Sequence, residues 1–476
     1  KNQTILKISI LSFKILFQFE RRIMKEILEK GLDFIDGEFG WIIYEIAKIT
    51  NISAFGEDIE VSYSERQGGN VRVYKSGNFG FATFTKPEDV TYAAKKSSYL
   101  SKLEKKKEIP LKKVEVVNDK FYPELKNDPR KIPISEKIEL VKNYNKIFLQ
   151  EKDKIRNAII RYNEVDLKKF ILRTDGSYIE ENRIYCGIAF SAFAFDGSRI
   201  QPFYKSFGDQ RGFDTVLNKE KDIEEAISNA FLLLKSEKVQ GGLYTCVLDP
   251  EIAGVFIHEA FGHLSEADHI YKNERLKEMM KPGERIGSEI LNVIDDGSIV
   301  GERGFYKYDD EGVPSSKKYL IKNGILSSRL HSVYTASLMN EELTGNARAI
   351  NYRFPPIVRM SSTYIEPGEK SFEELIGDIK DGIYIKGAIG GQTELEMFTF
   401  SAQAGYIIKN GKIKEPVRDV ILTGNVFETL KNIDAIGNDL ELHGGISGCG
   451  KNGQYPLPVS TGSPHIRIKN VLIGGK

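Results

Sequence analysis

The 476 residues include only six histidines and three cysteines, and two of the histidines lie close to one glutamate. The segment is HEAFGH, which begins with His258 and Glu259 and ends with His263. Imidazole nitrogens are common ligands of transition metals, and a neighbouring carboxylate is able to accept and return a proton. This combination predicts a metal site with a general acid/base beside it.

The spacing of the two histidines constrains the helix that carries them. In the zinc-protease motif HExxH the histidines are four residues apart, about 40° around a helix, so both rings reach one metal. His258 and His263 are five residues apart, which is about 140° on a regular helix. A π-bulge absorbs the extra residue, and Gly262 makes such a distortion easier. We therefore expect the helix to be irregular, or to end, near His263.

The best third ligand is Cys449, in the segment LHGGISGCGKNGQYPLPVS. The glycines of this segment allow the backbone to turn tightly around one thiol. Two imidazoles and one thiolate leave a fourth position of Zn²⁺ open, as in a catalytic zinc site, and Fe²⁺ can use the same ligands. Other third ligands remain open: Glu266, Asp268, His269 and His443. Cys186 and Cys246 lie in apolar strand patterns, where a buried and unreactive thiol is the ordinary outcome.

The same glycine-rich segment fits GxxxxGK, the pattern of a phosphate-binding loop, over residues 445–451. Asn452 follows, at the position where that motif needs Ser or Thr to bind Mg²⁺. Pro456 and Pro458 prevent the helix that must come after such a loop. The sequence therefore favours a loop that does not bind nucleotides.

Helix signals surround the HEAFGH motif. Asp249 can cap the first amides, Pro250 suits the first helical position, and Ile252 and Phe256 belong to an apolar face. The pattern predicts a helix over residues 249–270, anchored to the core by that face.

Hydrophobic periodicity predicts an α+β protein, with an N-terminal α/β domain of mixed or antiparallel sheet and a C-terminal β-rich domain that carries the metal-binding helix. The expected divisions are an extension over 1–23, the first domain over 24–236 and the second over 237–476. Predicted helices of the first domain cover 24–50, 87–107, 135–151 and 219–235. Predicted strands cover 58–86, with turns at Gly68-Gly69 and at residues 76–78, and 155–217.

Composition excludes several classes of protein. The chain has 68 Lys+Arg and 67 Asp+Glu, a formal net charge of +1, which disfavours nucleic acid or an anionic membrane as the main partner. The apolar stretch at residues 8–19 is too short to span a membrane; Lys7 precedes it and Lys14 interrupts it. Three cysteines are too few, and too odd a number, for a disulfide framework, so we expect a reducing cytoplasm.

The chain resembles the TldD/PmbA family, and in particular the branch whose members carry HExxxH. The likeness extends well beyond HEAFGH and covers the chain from about residue 24 to its end. The further segments are SYSERQGGNVRVYKSGNFGFATF (62–84), YDDEGVPSSKKYLIKNGIL (308–326), TGNARA (344–349), PPIVRMSSTYIEPGE (355–369), GYIIKNGKIKEPVRDVILTGN (405–425) and CGKNGQYPLPVSTGSP (449–464).

The resemblance implies a metalloprotease in which His258, His263 and Cys449 hold one metal per chain and Glu259 is the catalytic acid/base. It also implies subunits that pair as homodimers, or as heterodimers with a PmbA-like subunit that lacks HExxxH. Members of the family cleave unstructured or modified peptides within an enclosed chamber, so a peptide is the expected substrate.

Peptide hydrolysis also needs groups that hold the substrate. Arg348 and Tyr364 are candidates to stabilise the oxyanion, although structural pairing is the more common role of such residues. An extended peptide can add as a strand to an exposed sheet edge, which makes recognition mostly main-chain directed.

Two other functions remain open at this point. Dipeptidyl peptidases with an HExxGH motif also separate their histidines by five residues, but they need a second glutamate ligand, for which only Glu274 and Glu278 are candidates. Outside enzymes, the chain could be a regulatory or scaffold subunit that binds a metal structurally. The intact Glu259 argues against this second alternative.

Overall fold

The structure is a computed structural model that describes residues 22–104, 106–151, 153–394 and 396–474. The expected extension over residues 1–23 lies almost entirely outside this range. Strands dominate and short helices are interspersed among them, which confirms the α+β class. None of the helices in the described part of the chain is both long and apolar enough to cross a membrane.

The helices of the described range are spread along it and contain between 4 and 17 residues. Within the described range the α-helices are α1 (residues 22–32), α2 (Val90–Ser101), α3 (Ile134–Gln150), α4 (Glu220–Lys235), α5 (Pro250–Ile257), α6 (Ala267–Ile270), α7 (Glu274–Met279), α8 (Val333–Met339), α9 (Phe372–Ile376) and α10 (Val426–Lys431). A π-helix covers His258–Gly262, and 3-10 turns cover Pro87–Asp89, Pro129–Lys131, Phe213–Val216 and His263–Ser265.

The strands of the described range fall into a long-stranded first group and a shorter-stranded second group. The first group is β1 (Phe39–Phe55), β2 (Asp58–Lys75), β3 (Asn78–Phe84), β4 (Asn118–Phe121), β5 (Asn157–Arg173), β6 (Tyr178–Phe195) and β7 (Ile200–Asp209). The second group is β8 (Glu237–Lys238), β9 (Gly242–Leu248), β10 (Val293–Asp296), β11 (Lys317–Lys322), β12 (Ile325–Leu326), β13 (Ala347–Arg348), β14 (Ile357–Val358), β15 (Ser362–Ile365), β16 (Asp381–Glu394), β17 (Met397–Lys409), β18 (Lys412–Arg418), β19 (Ile421–Asn425), β20 (Ile433–Ile436), β21 (Glu441–His443), β22 (Cys449–Lys451), β23 (Gln454–Leu457), β24 (Ser460–Ser463) and β25 (Ile466–Gly474).

The first group forms one sheet in the order β3-β2-β1-β5-β6-β4, with β7 also paired to β6. Its neighbours are antiparallel, except that β4 runs parallel to β6. Ile42 and Tyr44 pack with α1 and α2, and Ile52 and Ala54 pack with α3 and α4. Because side chains alternate along a strand, these even-numbered residues share one face. Helices therefore cover that face, and the other face meets the second half of the chain.

The helix predicted over residues 24–50 is partly wrong, because α1 ends at residue 32 and β1 begins at Phe39. The run from Trp41 to Tyr44 is buried on both faces of the sheet. A strand buried on both faces has no polar alternation, so its apolar spacing resembles that of a buried helix. The β-branched and aromatic residues of WIIY are the local signal that favours a strand.

The turn predicted at Gly68-Gly69 is also wrong, because both glycines lie inside β2. A Cβ at Gly68 would lie 2.5 Å from the ring of Tyr352, and a Cβ at Gly69 would lie 2.3 Å from the carbonyl oxygen of Ile43. Close approach of neighbouring groups therefore requires these glycines, and a sequence pattern does not separate this role from a turn. The second predicted turn, at Ser76, is present between β2 and β3.

The second half of the chain contains two larger sheets. One has the order β12-β11-β10-β15-β24-β21. In the other, β16, β9, β25, β19 and β17 close into a barrel because β16 also pairs with β17. Helix α5 contacts β24 of the sheet and β16 of the barrel. Its Ile252 and Phe256 are buried in the shared core, where the Phe256 ring lies 5.4 Å from that of Phe398.

Most of this half consists of short strands and turns, as predicted, but its short helices α7 to α10 were not predicted from the sequence. They are only 5–7 residues long. Helices this short carry too few turns to show a periodic apolar face.

Two buried arginines hold the segment around Cys449. Arg359 donates from Nη2 to the carbonyl oxygen of Cys449 at 2.8 Å and from Nη1 to that of Gln454 at 3.2 Å. Arg303 donates to the carbonyl oxygens of Ile446 and Ser447 at 3.2–3.3 Å. These bonds supply hydrogen-bond donors to carbonyl groups of the buried segment, so an irregular segment keeps a defined shape in the interior.

Buried ion pairs join the large sheet to the second half. Lys169 lies 2.6 Å from Asp310, and Arg72 lies 2.6 Å from Glu311. Removing one partner of such a pair leaves an uncompensated buried charge, at a cost of about 3–5 kcal/mol. The two halves are therefore held in one relative position, and groups from both can line a common cavity.

The glycines on either side of Cys449 provide a matched test of this packing. A Cβ at Gly448 would lie 2.2 Å from the carbonyl oxygen of Leu457 in β23, whereas a Cβ at Gly450 would first meet the Tyr455 ring at 3.4 Å. We expect Gly448→Ala to lower the free energy of unfolding by about 1–3 kcal/mol, because a backbone group must move. Gly450→Ala should change it by less than about 0.5 kcal/mol. Thermal unfolding of the two variants measures the difference, and equal midpoints would contradict the packing described.

Candidate metal centre

Helix α5 begins as the sequence predicts. The Asp249 side chain accepts a hydrogen bond from the amide of Ile252 at 2.9 Å, and Pro250 occupies the first helical position. The capping carboxylate also accepts from the amide of Gly387 in β16 at 3.0 Å. The start of α5 is therefore tied to the barrel, and this fixes the direction in which the motif leaves the helix.

The HEAFGH motif is not regular α-helix, and the predicted irregularity is confirmed. Residues His258–Gly262 form a π-helix, followed by a 3-10 turn that starts at His263. The wider turn brings the two imidazoles together, with ring centres 5.3 Å apart. Gly262 has ordinary helical angles, so its backbone freedom is not used; a Cβ there would lie 2.1 Å from the sulfur of Met360.

Cys449 reaches the two histidines from the hairpin of β22 and β23. Its Sγ lies 3.3 Å from Nε2 of His263, and one donor atom from each of His258, His263 and Cys449 lies within 4.8 Å of the others. Zinc bond lengths of about 2.0–2.1 Å to nitrogen and 2.3 Å to sulfur place two tetrahedral ligands about 3.5 Å apart. Nδ1 of His258 is buried without a hydrogen-bond partner among the described residues. The donor set therefore fits a zinc-type ion.

Glu259 lies at the edge of this cluster. Its carboxylate is 3.7 Å from Nε2 of His263, and its side chain is 29% exposed. The carboxylate also lines a cavity that reaches the cluster. It can therefore meet a water molecule and a substrate beside the histidines.

Electrostatics within the cluster favour a thiolate. Burial raises the pKa of Cys449, but the nearby imidazoles of His258 and His263 lower it further, to well below the ordinary value. Burial lowers the pKa of His263, but the carboxylate of Glu266 and the thiolate raise it well above the ordinary value. Without a metal, the cluster is therefore a buried thiolate beside protonated imidazole.

Comparison with known proteins identifies the family. Residues 127–235 match the model of the PmbA/TldA metallopeptidase central domain, and residues 241–475 match that of the PmbA/TldA metallopeptidase C-terminal domain. The chain belongs to the TldD/PmbA family. This membership supports a general metallopeptidase function.

Similar proteins agree with the assignment to the TldD/PmbA family. A metalloprotease of Synechocystis sp. is 39% identical over 440 residues, which are 92% of this chain and 95% of that protein. A zinc metalloprotease TldD homolog of Saccharolobus solfataricus is 40% identical over 244 residues, 51% of this chain and 54% of that protein. The crystal structure of TldE from Thermococcus kodakarensis has the same fold, with a TM-score of 0.75 at 20% identity, over 95% of this chain and all of TldE.

The other candidate ligands of this TldD/PmbA chain are placed differently. Glu266 accepts from Nδ1 of His263 at 3.0 Å, on the side of the ring away from Cys449. Asp268 and His269 lie near Glu266 in a second group of metal-type side chains. His443 lines the cavity and lies 3.4 Å from Glu441.

Arg348 and Tyr364 are not among the described residues that line the cavity. Arg348 is buried and donates to the carbonyl oxygens of Met360 at 2.6 Å and Pro458 at 2.7 Å. Tyr364 lies in β15, between β10 and β24. Both residues therefore have a structural role, which is the more common role of such residues, and neither lines the cavity as an oxyanion-stabilising group would.

The glycine-rich segment does not form a phosphate-binding loop. It continues into the hairpin of β22 and β23, and no helix follows it in the described chain before β24. Its Lys451 points instead to the acids Glu266 and Asp268. Sequence reasoning missed this lysine, although its position two residues after Cys449 in a strand places both side chains on one face.

A cavity of about 590 Å³ opens beside the cluster. Its walls come from β7 of the large sheet, from α5, from β16 of the barrel and from the segment between β21 and Cys449. Glu251 lines it from α5, and burial, followed by the nearby Asp249, raises the pKa of this carboxyl to about 7. Lys205 and Lys386 line it too, and both pair with Glu225. Both halves of the chain thus form the cavity.

The acidity of Cys449 can be measured against the other two thiols. In metal-free protein we expect iodoacetamide to alkylate Cys449 even near pH 6–7, because a lowered pKa keeps the thiolate present well below pH 9. Burial raises the pKa of Cys186 to about 12 and raises that of Cys246, so neither should react while the protein is folded. Mass spectrometry of peptides at several pH values reports all three thiols in one sample. Labelling of Cys449 that starts only above pH 8 would contradict the electrostatics described.

Proposed function

We propose that the chain is a zinc-dependent peptidase that hydrolyses unstructured or modified peptides. The observation that carries the proposal is the meeting of two imidazoles and one thiol beside a partly exposed carboxylate on a cavity wall. His258, His263 and Cys449 hold one metal ion per chain in this proposal, and Glu259 is the general base and acid. Fe²⁺ fits the same ligands, but the mixed nitrogen and sulfur set favours Zn²⁺.

A bound ion at these ligands supplies Lewis acidity and lowers the pKa of water toward about 7. The remaining work falls to Glu259. Its carboxylate takes the proton from the attacking water and then delivers it to the amine that leaves. Its partial exposure to the cavity and its distance of 3.7 Å from His263 support this role, because the group reaches the reacting atoms without being a ligand itself.

An exposed strand edge supports recognition of extended peptides. Residues 390–394 of β16 pair with β17 on one side, after a register shift at Ile389, and no described strand pairs with the other side. Ile389 and Gly390 of this edge line the cavity. A peptide that adds there as a strand is selected through its main chain, which suits many unfolded sequences.

The partner in this proposal is a second family subunit, either another copy of this chain or a PmbA-like subunit without HExxxH. The family membership and the fold shared with TldE support a paired assembly. The three free thiols are consistent with a reducing compartment, so we place the enzyme in the cytoplasm.

Removing the metal or the carboxylate tests the enzyme. We expect the chain to cleave an unfolded casein-like peptide, chelator to stop cleavage, and added Zn²⁺ to restore it. Glu259→Gln should keep the metal and reduce turnover by at least about 100-fold, because the proton acceptor is lost. Glu274→Gln is the matched control, since this exposed acid pairs with Lys277; it should change neither metal content nor rate.

Other results would separate the alternatives. Full activity of Glu259→Gln would refute the role of this carboxylate. Metal binding without cleavage, both by the chain alone and with an added motif-lacking homologue, would favour a regulatory or scaffold subunit. Loss of metal from Glu274→Gln or Glu278→Gln would favour the dipeptidyl-peptidase type of site.

Single-residue changes test the ligand set. Elemental analysis of Cys449→Ala should show little bound zinc, because only two strong ligands remain. His443→Ala, which changes another cavity residue, should retain about one zinc per chain. Unchanged zinc content in Cys449→Ala, together with loss of zinc from His443→Ala, would show that His443 and not Cys449 is the third ligand.

A further inference from the structure

A line of buried polar groups runs behind the candidate metal centre. Nδ1 of His263 lies 3.0 Å from Oε2 of Glu266, and Nζ of Lys451 lies 2.9 Å from the same oxygen. The Glu266 side chain is fully buried, and that of Lys451 is 3% exposed. Lys451 also contacts Asp268 at 2.5 Å and donates to the carbonyl oxygen of Val358 at 2.9 Å.

This arrangement connects two segments that are far apart in the chain. Glu266 follows His263 by three residues, at the end of the HEAFGH region. Lys451 follows Cys449 by two residues in β22. The ion pair between Glu266 and Lys451 therefore joins the same two segments as the contact between His263 and Cys449.

Burial makes this ion pair costly to alter. An isolated charge in the interior carries a large desolvation penalty, so each partner needs the other. Oε2 of Glu266 lies between the two cationic or donor groups that face it, at 3.0 Å from Nδ1 of His263 and 2.9 Å from Nζ of Lys451. The ammonium group of Lys451 thus pairs with the same carboxylate oxygen that accepts a hydrogen bond from His263.

The same contacts argue against a second metal ion. Glu266, Asp268 and His269 have the side-chain types and spacing of a metal site. The ammonium group of Lys451 contacts both carboxylates of this group. It supplies the positive charge that an ion would otherwise bring.

We propose that Glu266 and Lys451 are positioning residues that hold His263 and Cys449 in the geometry of a shared metal ion. The inference rests on the proposed function, because it concerns the same ligands. A neutral imidazole that binds through Nε2 carries its proton on Nδ1, and Glu266 accepts that proton in a hydrogen bond. Lys451 pairs with Glu266 and aligns it, and this ion pair fixes the strand that bears the thiol to the helical segment that bears the imidazole.

Metal affinity and spectroscopy test this inference without an activity assay. In a competition with a chelator, Lys451→Met and Glu266→Gln should each bind Zn²⁺ about 10–100-fold more weakly than the natural chain. Their Co²⁺-loaded forms should show shifted visible and thiolate charge-transfer bands, because the ligands are displaced. The double variant should bind about as weakly as the worse single variant, because both residues act through one contact.

A matched control separates positioning from a general loss of stability. Lys137 forms a similarly buried ion pair with Glu164 at 2.5 Å, in the first half of the chain. Lys137→Met should lower the unfolding temperature while its Zn²⁺ affinity and Co²⁺ spectrum stay those of the natural chain. Equal loss of affinity in Lys137→Met and Lys451→Met would overturn the inference.

The natural chain gives a second measurement that needs no variant. With ¹⁵N-labelled histidine and bound Zn²⁺, the NMR spectrum should show the His263 proton on Nδ1, in a hydrogen bond and slow to exchange. A proton on Nε2 would overturn the inference even if Lys451→Met failed to fold.

His263→Ala distinguishes failure of the positioning role from failure of the proposed metal centre. If it loses Zn²⁺ while Lys451→Met and Glu266→Gln bind normally, only the positioning role is wrong. If it binds Zn²⁺ like the natural chain, the metal centre is elsewhere and the proposed function fails with the inference.

Discussion

The widened helical turn at His258–Gly262 is the constraint on which the site depends. Two histidines five residues apart point in different directions on a regular helix, and the π-helix brings their ring centres to 5.3 Å. Such a turn is rare and occurs mostly as a single turn within a longer helix, so its surroundings must hold it. Helix α5 is fixed at its start by Asp249 and buried between the barrel and the six-stranded sheet. The packing of Met360 against Gly262 limits the other end.

Bringing a thiolate and two imidazoles into the interior creates a second problem, which is electrostatic. Buried charges are stable only when they are paired and hydrogen-bonded. Around Cys449 the chain supplies bonds from Arg359 to its backbone, and around His263 it supplies the carboxylate of Glu266. Because metal ligands must lose their protons, the thiolate is already in the form that binds a metal, whereas a protonated imidazole must first release its proton. The same groups thus stabilise the fold and define the site.

The cavity explains why the large N-terminal sheet belongs to the enzyme. Strand β7 of this sheet forms one wall, and α5 with β16 forms others. The buried pairs Lys169–Asp310 and Arg72–Glu311 keep these walls together. A near-neutral surface adds little long-range attraction for a particular charge. Under the proposed function, selection of substrate depends on entry to the cavity and on main-chain contacts.

The sequence by itself determined the chemistry that is available. The types and spacing of His258, Glu259 and His263, and the isolated thiol of Cys449, were enough to predict a three-residue cluster and an irregular helix. Local patterns also predicted most of the strands and helices of the first half. They failed at Trp41–Tyr44, because burial on both faces removes the alternation that marks a strand. They also failed at Gly68-Gly69, because close packing, and not a turn, requires glycine there.

Only the tertiary structure decided which of the possible third ligands meets the histidines. Cys449 and Glu266 both approach His263, but from opposite sides of its ring, and no spacing in the sequence contains that information. The same holds for Lys451, whose charge is placed beside Glu266 by strands distant in the chain. The physical reason is that ligand types are local properties of residues, whereas a coordination geometry depends on how separate segments pack.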